Sequence, residues 1–259
     1  MSASGNGKVD TLVIVAKYPE PGQAKTRLGA AIGFERAAAL YSAFLRDLAA
    51  RFDGHGLPWT LRWAVAPGAR PADTLREFVG ADARIFSQRG ADFAERLYHI
   101  LMDARALGAQ RVAIMSSDAP HLPAALAVNA FTALQTHDMA ISPAEDGGYS
   151  LIALRLPASP AAAPDLFRGI RMSTPTVMAE TLERARDLGL SVHQLATTFD
   201  VDEAADLARL WRMLRARPAL ASHTSTALAE LSATAALAIA GITPIIGNED
   251  THDGIVARR

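Results

Sequence analysis

The 259-residue chain contains no cysteine. That removes disulfide frameworks, thiolate metal centres and thiol nucleophiles together, and it agrees with a reducing cytoplasm. Neither sign of charge dominates: 26 Lys and Arg stand against 27 Asp and Glu, a formal net charge of −1. No global field therefore draws the chain to nucleic acid or to an anionic membrane, and phosphate binding has to come from a local cluster of cations. Aromatic residues are 6% of the chain and no basic stripe accompanies them, which argues against a nucleic-acid-binding protein. No apolar run reaches the ~18 residues that a membrane helix needs. The best stretch, 235–246, contains Gly241 and Pro244. The opening MSASGNGKVD is polar and carries no apolar signal core, so a soluble, cytoplasmic protein is expected. Several catalytic signatures are missing as well. There is no Gly-x-Gly-x-x-Gly turn, no Walker loop, no Gly-x-Ser-x-Gly elbow and no histidine pair at metal spacing, which leaves nicotinamide, P-loop, serine-hydrolase and zinc chemistry without support.

What is abundant is apolar residue, at 50% against 20% charged, the composition of a folded domain with a sizeable core. Apolar runs alternate with amphipathic stretches. Strands are expected at 11–16, 59–65, 84–86, 111–115, 139–142, 149–154 and 191–195. Helices are expected at 34–52, 72–79, 92–107, 123–135, 174–188 and 203–216. Within 34–52, Ala38, Leu40, Tyr41, Phe44, Leu45, Leu48 and Phe52 form one helical stripe. Gly108 and Gly189 supply helix stops. Strand followed by helix, repeated, predicts an α/β fold: a mainly parallel sheet with helices on both faces. Residues 10–217 read as one domain, and 218–259 as an Ala-rich extension of unknown role. In open sheets of this kind ligands bind beyond the carboxyl ends of the strands. The informative residues sit there.

The first strand runs into KYPEPGQAKTRL (17–28), where Lys17, Lys25 and Arg27 fall within eleven residues. Prolines hold the loop irregular, and a helix starting near Thr26 offers free backbone N–H groups, an arrangement that suits a triphosphate. The alternative is a solvated loop with ordinary surface cations. The strand at 111–115 ends in SSDAPHLP (116–123), where Asp118 is either a helix cap or a metal ligand. PAEDGGY (143–149) follows the next strand. Its Asp146-Gly147 reads first as a hairpin turn and second as a place where backbone approaches a ligand closely. FDVDE (199–203) opens the last helix, with one acid expected as the N-cap and another free for a hard cation such as Mg²⁺ or Mn²⁺. Of the histidines, His121 alone neighbours a motif. RGADFAER (89–96) reads as a capped, solvated helix start.

Each motif is weak by itself, but their order is distinctive. VIVAKYPEPGQAKTRLG, QRGADFAERL, SSDAPHLP, SPAEDGGYSLIAL and FDVDEAADL, over roughly residues 10–215, closely resemble the family called transferase 1, radical-SAM/selenodomain-associated. These are glycosyltransferase-A-type proteins related to 2-phospho-L-lactate guanylyltransferase. The resemblance implies a nucleotide-diphospho-sugar transferase fold, a nucleoside triphosphate or nucleotide-sugar as ligand, and a divalent cation between Asp118 and an acid of the Asp200/Asp202 pair, with Asp202 as the matching one. The sequence departs from the family pattern in the alanines of RGADFA, in Ser116, and in Glu203-Ala204-Ala205 after the late acid.

On this reading Lys25 and Arg27 hold phosphates, with Lys17, Thr26 and Ser117 beside them. Asp118 and Asp202, with Asp200 near, hold Mg²⁺ or Mn²⁺. Asp146 orients a small-molecule acceptor or takes its proton, and Gly147-Gly148 give that acceptor room. Two chemistries compete. The crowded cation loop favours an NTP and nucleotidyl transfer to a phosphorylated acid, whereas the family leans to glycosyl transfer from a nucleotide-sugar, which is placed first. A non-catalytic nucleotide-binding protein is a third reading, and the intact acids count against it.

Overall fold

In a computed structural model, residues 9–54, 56–157 and 163–232 are described. Seven strands form one sheet: β1 (Val9–Ala16), β2 (Trp59–Val65), β3 (Ile85–Ser87), β4 (Ala109–Ser116), β5 (Met139–Pro143), β6 (Tyr149–Arg155) and β7 (Val192–Gln194). Their order is β3-β2-β1-β4-β6-β5-β7. β6 alone runs antiparallel to its neighbours. It follows β5 after only five residues, too few for the crossover that a parallel partner needs, so the Asp146-Gly147 turn closes a hairpin. The helices are α1 (Thr26–Ile32), α2 (Phe34–Phe52), α3 (Arg76–Val79), α4 (Phe93–Ala106), α5 (Ala124–Ala133), α6 (Val177–Asp187), α7 (Ala204–Ala216) and α8 (Ser222–Ser232).

Because successive strand side chains point to opposite faces, each central strand feeds two apolar layers. Leu12, Ile14, Ala113 and Met115 join α2, α5 and α7 in one layer. Val13, Val112 and Ile114 join α4 and Phe167 in the other. A sheet covered on both faces explains why β1 and β4 read as continuous apolar runs. No helix among the described residues is long and apolar enough to cross a membrane.

The structure refines several expected elements. The helix expected at 72–79 is a 3-10 turn, Ala72–Leu75, running into the four-residue α3. β3 lies one residue later than expected. α6 starts at Val177 and not at 174, because Thr174 precedes Pro175 and a proline disfavours helical backbone at the residue before it. In the extension, α8 packs on α2 with Leu228 fully buried. The acid that docks it is Asp47 of α2, only 3% exposed. Its carboxylate accepts from His223 N (2.9 Å), Thr224 N (2.8 Å) and Thr224 Oγ1 (2.6 Å). The apolar stretch 235–246 lies outside the described residues.

Candidate active site

The carboxyl ends of the strands converge on one cleft with two lobes. The first lobe, about 310 Å³, is lined by Lys17, Lys25, Thr26, Arg27, Ser117 and Asp118, among others. The second, about 440 Å³, is lined by Asp118, Asp146, Gly148, Asp200 and Asp202 together with apolar side chains. Arg27, Phe93, Asp118, Ser173 and Asp202 border both lobes. The expected site residues therefore share one cavity system, except that Gly147 serves it from behind.

In the first lobe, against the two acids that border both, stands Lys25. Its ammonium lies 2.5 Å from Asp118 Oδ1 and 2.8 Å from Asp202 Oδ1, and it donates to the Val201 carbonyl at 2.9 Å. Its side chain is 3% exposed, while the two acids are 39% and 38% exposed to the cleft. Burial alone pulls a lysine pKa down, but the two carboxylates outweigh it and hold Lys25 above its ordinary value, firmly charged. Its backbone is left-handed (φ 51°, ψ 46°). Such a conformation costs a non-glycine residue roughly 1–3 kcal/mol and persists only where surrounding contacts over-determine it. Lys25 and Ser173 are the two non-glycine residues with positive φ among those described, and both line the cleft.

The helix-cap alternative fails at Asp118 and holds within 199–203, where one acid caps α7 as expected. α5 begins behind Pro123, so Asp118 caps nothing. α7 is capped by Glu203 in a capping box with Asp206, which leaves both Asp200 and Asp202 outside the cap. The turns carrying the acids are stapled together by Val201 N donating to the Asp118 carbonyl at 2.9 Å. Ser116 Oγ accepts from Asp118 N at 3.0 Å and lies 3.2 Å from its Oδ2. Asp200 is largely buried, and its Oδ1 has no hydrogen-bond partner among the described residues. Burial first, then the neighbouring Asp118, pushes its carboxyl up to about 7.

Asp118 and Asp202 converge on the Lys25 ammonium, which engages one oxygen of each and leaves the other oxygen of each outside the ion pair. Oxygen donors of this kind suit Mg²⁺ or Mn²⁺. No group of three or more His, Cys, Asp or Glu that could hold a metal occurs among the described residues, so a cation here would draw its remaining ligands from substrate phosphate and water.

In the first lobe Lys17 and Thr26 are exposed, and Arg27 is exposed with Glu203 4.0 Å away. Ser117 is buried, with its hydroxyl 2.7 Å from Tyr41 Oη, which also accepts from Lys17 N at 3.1 Å. Its hydroxyl thus holds the strand ends in place. Two residues of this lobe escaped the sequence reading. Gln88 is 5% exposed and donates from Nε2 to the Ala64 carbonyl at 2.8 Å, leaving Oε1 buried without a partner. Arg96 lies one helical turn into α4. The segment RGADFAER does form the expected capped turn, with Asp92 accepting from Glu95 N and Glu95 from Ala91 N. That cap is what aims Phe93 and Arg96 into the cleft.

In the second lobe Asp146 Oδ1 accepts from Gly148 N at 2.9 Å. Gly147 has φ +90°, and a Cβ there would lie 2.0 Å from the Pro175 carbonyl oxygen. Gly147 O accepts from Met178 N at 2.9 Å. Gly147 therefore seats the segment 172–176, whose Ser173, Thr174 and Pro175 line the lobe. The Ser-Thr-Pro-Thr string ahead of a helix was the available signal for this segment. Behind the acids, Arg209 pairs with Glu145 (2.6 and 2.9 Å) and covers the Phe199 ring at 3.8 Å. Phe199 in turn stacks on His121 at 4.2 Å. Burial, with help from Arg51 and Arg209, pulls His121 down to about 4. It is a neutral packing residue.

A seven-stranded α/β sheet with acids and cations gathered at its carboxyl edge defines the class: a protein of nucleotide-diphospho-sugar transferase fold. A crystallised candidate nucleotide-diphospho-sugar transferase from Desulfovibrio desulfuricans is 35% identical to the chain, which covers 98% of it (91% of this chain) with a TM-score of 0.81. The chain belongs to the same transferase family. Residues 58–174 match the family DUF2064, described as an uncharacterized protein conserved in bacteria. Two further solved structures share the fold alone. The 4-diphosphocytidyl-2C-methyl-D-erythritol synthase of Anaerococcus prevotii is 11% identical, covering 80% of this chain and 99% of that one, with a TM-score of 0.52. A cytidylyltransferase of Leptospira borgpetersenii is 12% identical, covering 83% and 96%, with a TM-score of 0.52. No curated protein matches the chain.

Proposed function

We propose that the protein is a cation-dependent transferase acting on a nucleotide-activated donor, and that the group transferred is a sugar from a nucleotide-sugar. The observation that carries this reading is the division of charge between the lobes. Lys17, Lys25, Arg27 and Arg96 border the first, together with Asp118 and Asp202, whereas the second adds Asp146 and Asp200 and, among Lys and Arg, has Arg27 alone. A donor diphosphate finds matching charge in the first lobe. A phosphorylated acid acceptor, which nucleotidyl transfer would need, finds fewer cations to match it in the second.

In this reading Asp118 and Asp202 hold Mg²⁺ or Mn²⁺, which when bound offsets phosphate charge and stabilises the departing nucleoside diphosphate. Lys25 keeps the two acids convergent and stands next to that phosphate. Arg27 and Lys17 bind the diphosphate oxygens, and Gln88 Oε1 offers an acceptor to the nucleoside. Asp146, tied at one oxygen to its own turn, orients the acceptor and takes its proton. The motif order supports the finer affiliation with the radical-SAM/selenodomain-associated transferases.

Product analysis tests the reading. With a panel of nucleotide-sugars and alcohols, release of nucleoside diphosphate is expected. Release of pyrophosphate from an NTP in the presence of a phosphorylated acid, without turnover of any nucleotide-sugar, would overturn it in favour of nucleotidyl transfer.

A further inference from the structure

We infer that the acceptor is an uncharged alcohol carrying an apolar body, seated in the second lobe with its hydroxyl toward Asp146; this rests on the glycosyl-transfer reading above. The lobe is two-ended. Phe93, Leu97, Tyr149, Ile152, Met172 and Val177 form an apolar wall supplied by α4, β6 and the segment leading into α6. The aspartates line its polar end. Phe93 is 36% exposed, one of four large apolar side chains left open to solvent among the described residues. Its helix cap fixes it there, so the ring is placed to be covered by a ligand and not by the core.

Two features disfavour other acceptor classes. An anionic acceptor is poorly matched, because Asp118 and Asp202 are paired with Lys25, and beside Asp146 and Asp200 the one Lys or Arg side chain that borders the lobe is Arg27. A polyol is less well served, because two of the hydroxyls that border the lobe are already engaged. Ser150 Oγ bonds Ser142 and accepts from Thr198, and Thr174 Oγ1 donates to the Arg171 carbonyl. Hydroxyls laid against the apolar wall would lose water without replacement, which costs free energy. An apolar body against that wall gains what a polyol loses.

The transfer balances as follows. The acceptor oxygen forms a bond to the anomeric carbon of the donor sugar while the bond from that carbon to the donor phosphate oxygen breaks. The hydroxyl proton passes to Asp146, and the nucleoside diphosphate leaves with the bonding electron pair.

The experiment measures nucleoside diphosphate release by the full chain, with Mg²⁺ and a nucleotide-sugar panel, against benzyl alcohol, glycerol and glycerol 3-phosphate at equal concentration. Benzyl alcohol is expected to stimulate release about tenfold more than either of the others. Met172→Lys, in a half-buried loop position that borders only the second lobe, should raise the KM for benzyl alcohol about tenfold or more, the scale of one lost apolar contact. Phe93→Ala, at an open helix start, should act in the same direction. Preference for glycerol or glycerol 3-phosphate, or an unchanged KM in both variants, overturns the inference while leaving glycosyl transfer standing. Pyrophosphate release from NTP without turnover of any nucleotide-sugar overturns both.

Discussion

Gly147→Ala puts a methyl group where the Pro175 carbonyl oxygen lies 2.0 Å away, on a backbone with φ +90°. Two costs add. A non-glycine residue in left-handed backbone loses roughly 1–2 kcal/mol, and forcing extra volume against packed atoms costs roughly 1–3 kcal/mol. The clashing atom is backbone, so it cannot swing aside as a flexible side chain would. We expect a loss of about 2–5 kcal/mol, read as a lower urea midpoint at unchanged slope. Gly148→Ala is the matched control: its φ is not positive, and its nearest contact is Asp146 Oδ1 at 3.2 Å. That change should cost under about 1 kcal/mol, as at most positions without a special backbone or packing demand. The larger loss at 147 should come with a raised acceptor KM, because segment 172–176 must move. Equal, small stability losses at 147 and 148 would refute this reasoning and return both glycines to the simpler role of giving the acceptor room.

Three further outcomes follow from the same geometry. His121 is neutral in both states above its ordinary value of 6.5, and below that the unfolded chain takes a proton that the folded chain refuses until about 4. Stability should therefore fall by about 3 kcal/mol as pH drops from 6.5 to 4, and His121→Phe, which keeps the stack on Phe199, should flatten that slope in urea titrations. Asp47→Ala strands three donors of α8; a loss of about 3–5 kcal/mol is expected, with hydrogen exchange showing α8 amides deprotected first, and intact α8 protection would contradict it. Asp146→Asn should lower glycosyl turnover by roughly 10²–10⁴-fold, the scale of losing a general base, with nucleotide affinity barely moved; near-normal turnover would remove Asp146 from proton transfer.

The parts legible in the sequence are those whose partners are close along the chain or whose periodicity is long. α2 was bounded to the residue because its apolar stripe runs unbroken for nineteen positions, from Phe34 to Phe52. β1 and β4 announced themselves as apolar runs because both of their faces are covered. Hidden features depend on distant partners. The groups that hold Lys25 lie 93 and 177 residues away, at Asp118 and Asp202, so nothing in KYPEPGQAKTRL distinguishes its cation from Arg27's. α8 went unseen because its Ala/Ser/Thr composition carries little amphipathic signal and its anchor, Asp47, lies 176 residues away. The start of α6 was misplaced because Pro175 disfavours helical backbone at Thr174 while its carbonyl packs against Gly147. Which acid of 199–203 caps α7 stayed open because three acids within four positions all qualify, and only the Asp206 contact decides among them.

The central claim is that Asp118 and Asp202 hold a cation which binds a nucleotide diphosphate in the first lobe. Calorimetric titration of nucleoside diphosphates into the wild type, Asp118→Asn and Asp202→Asn, each with Mg²⁺ or with EDTA, tests it most directly. Mg²⁺ is expected to tighten wild-type binding by about tenfold or more, at least the ~1.4 kcal/mol that a tenfold change represents, and either variant should abolish this gain. Equal wild-type affinity in Mg²⁺ and EDTA, or a cation effect that survives both substitutions, would contradict it.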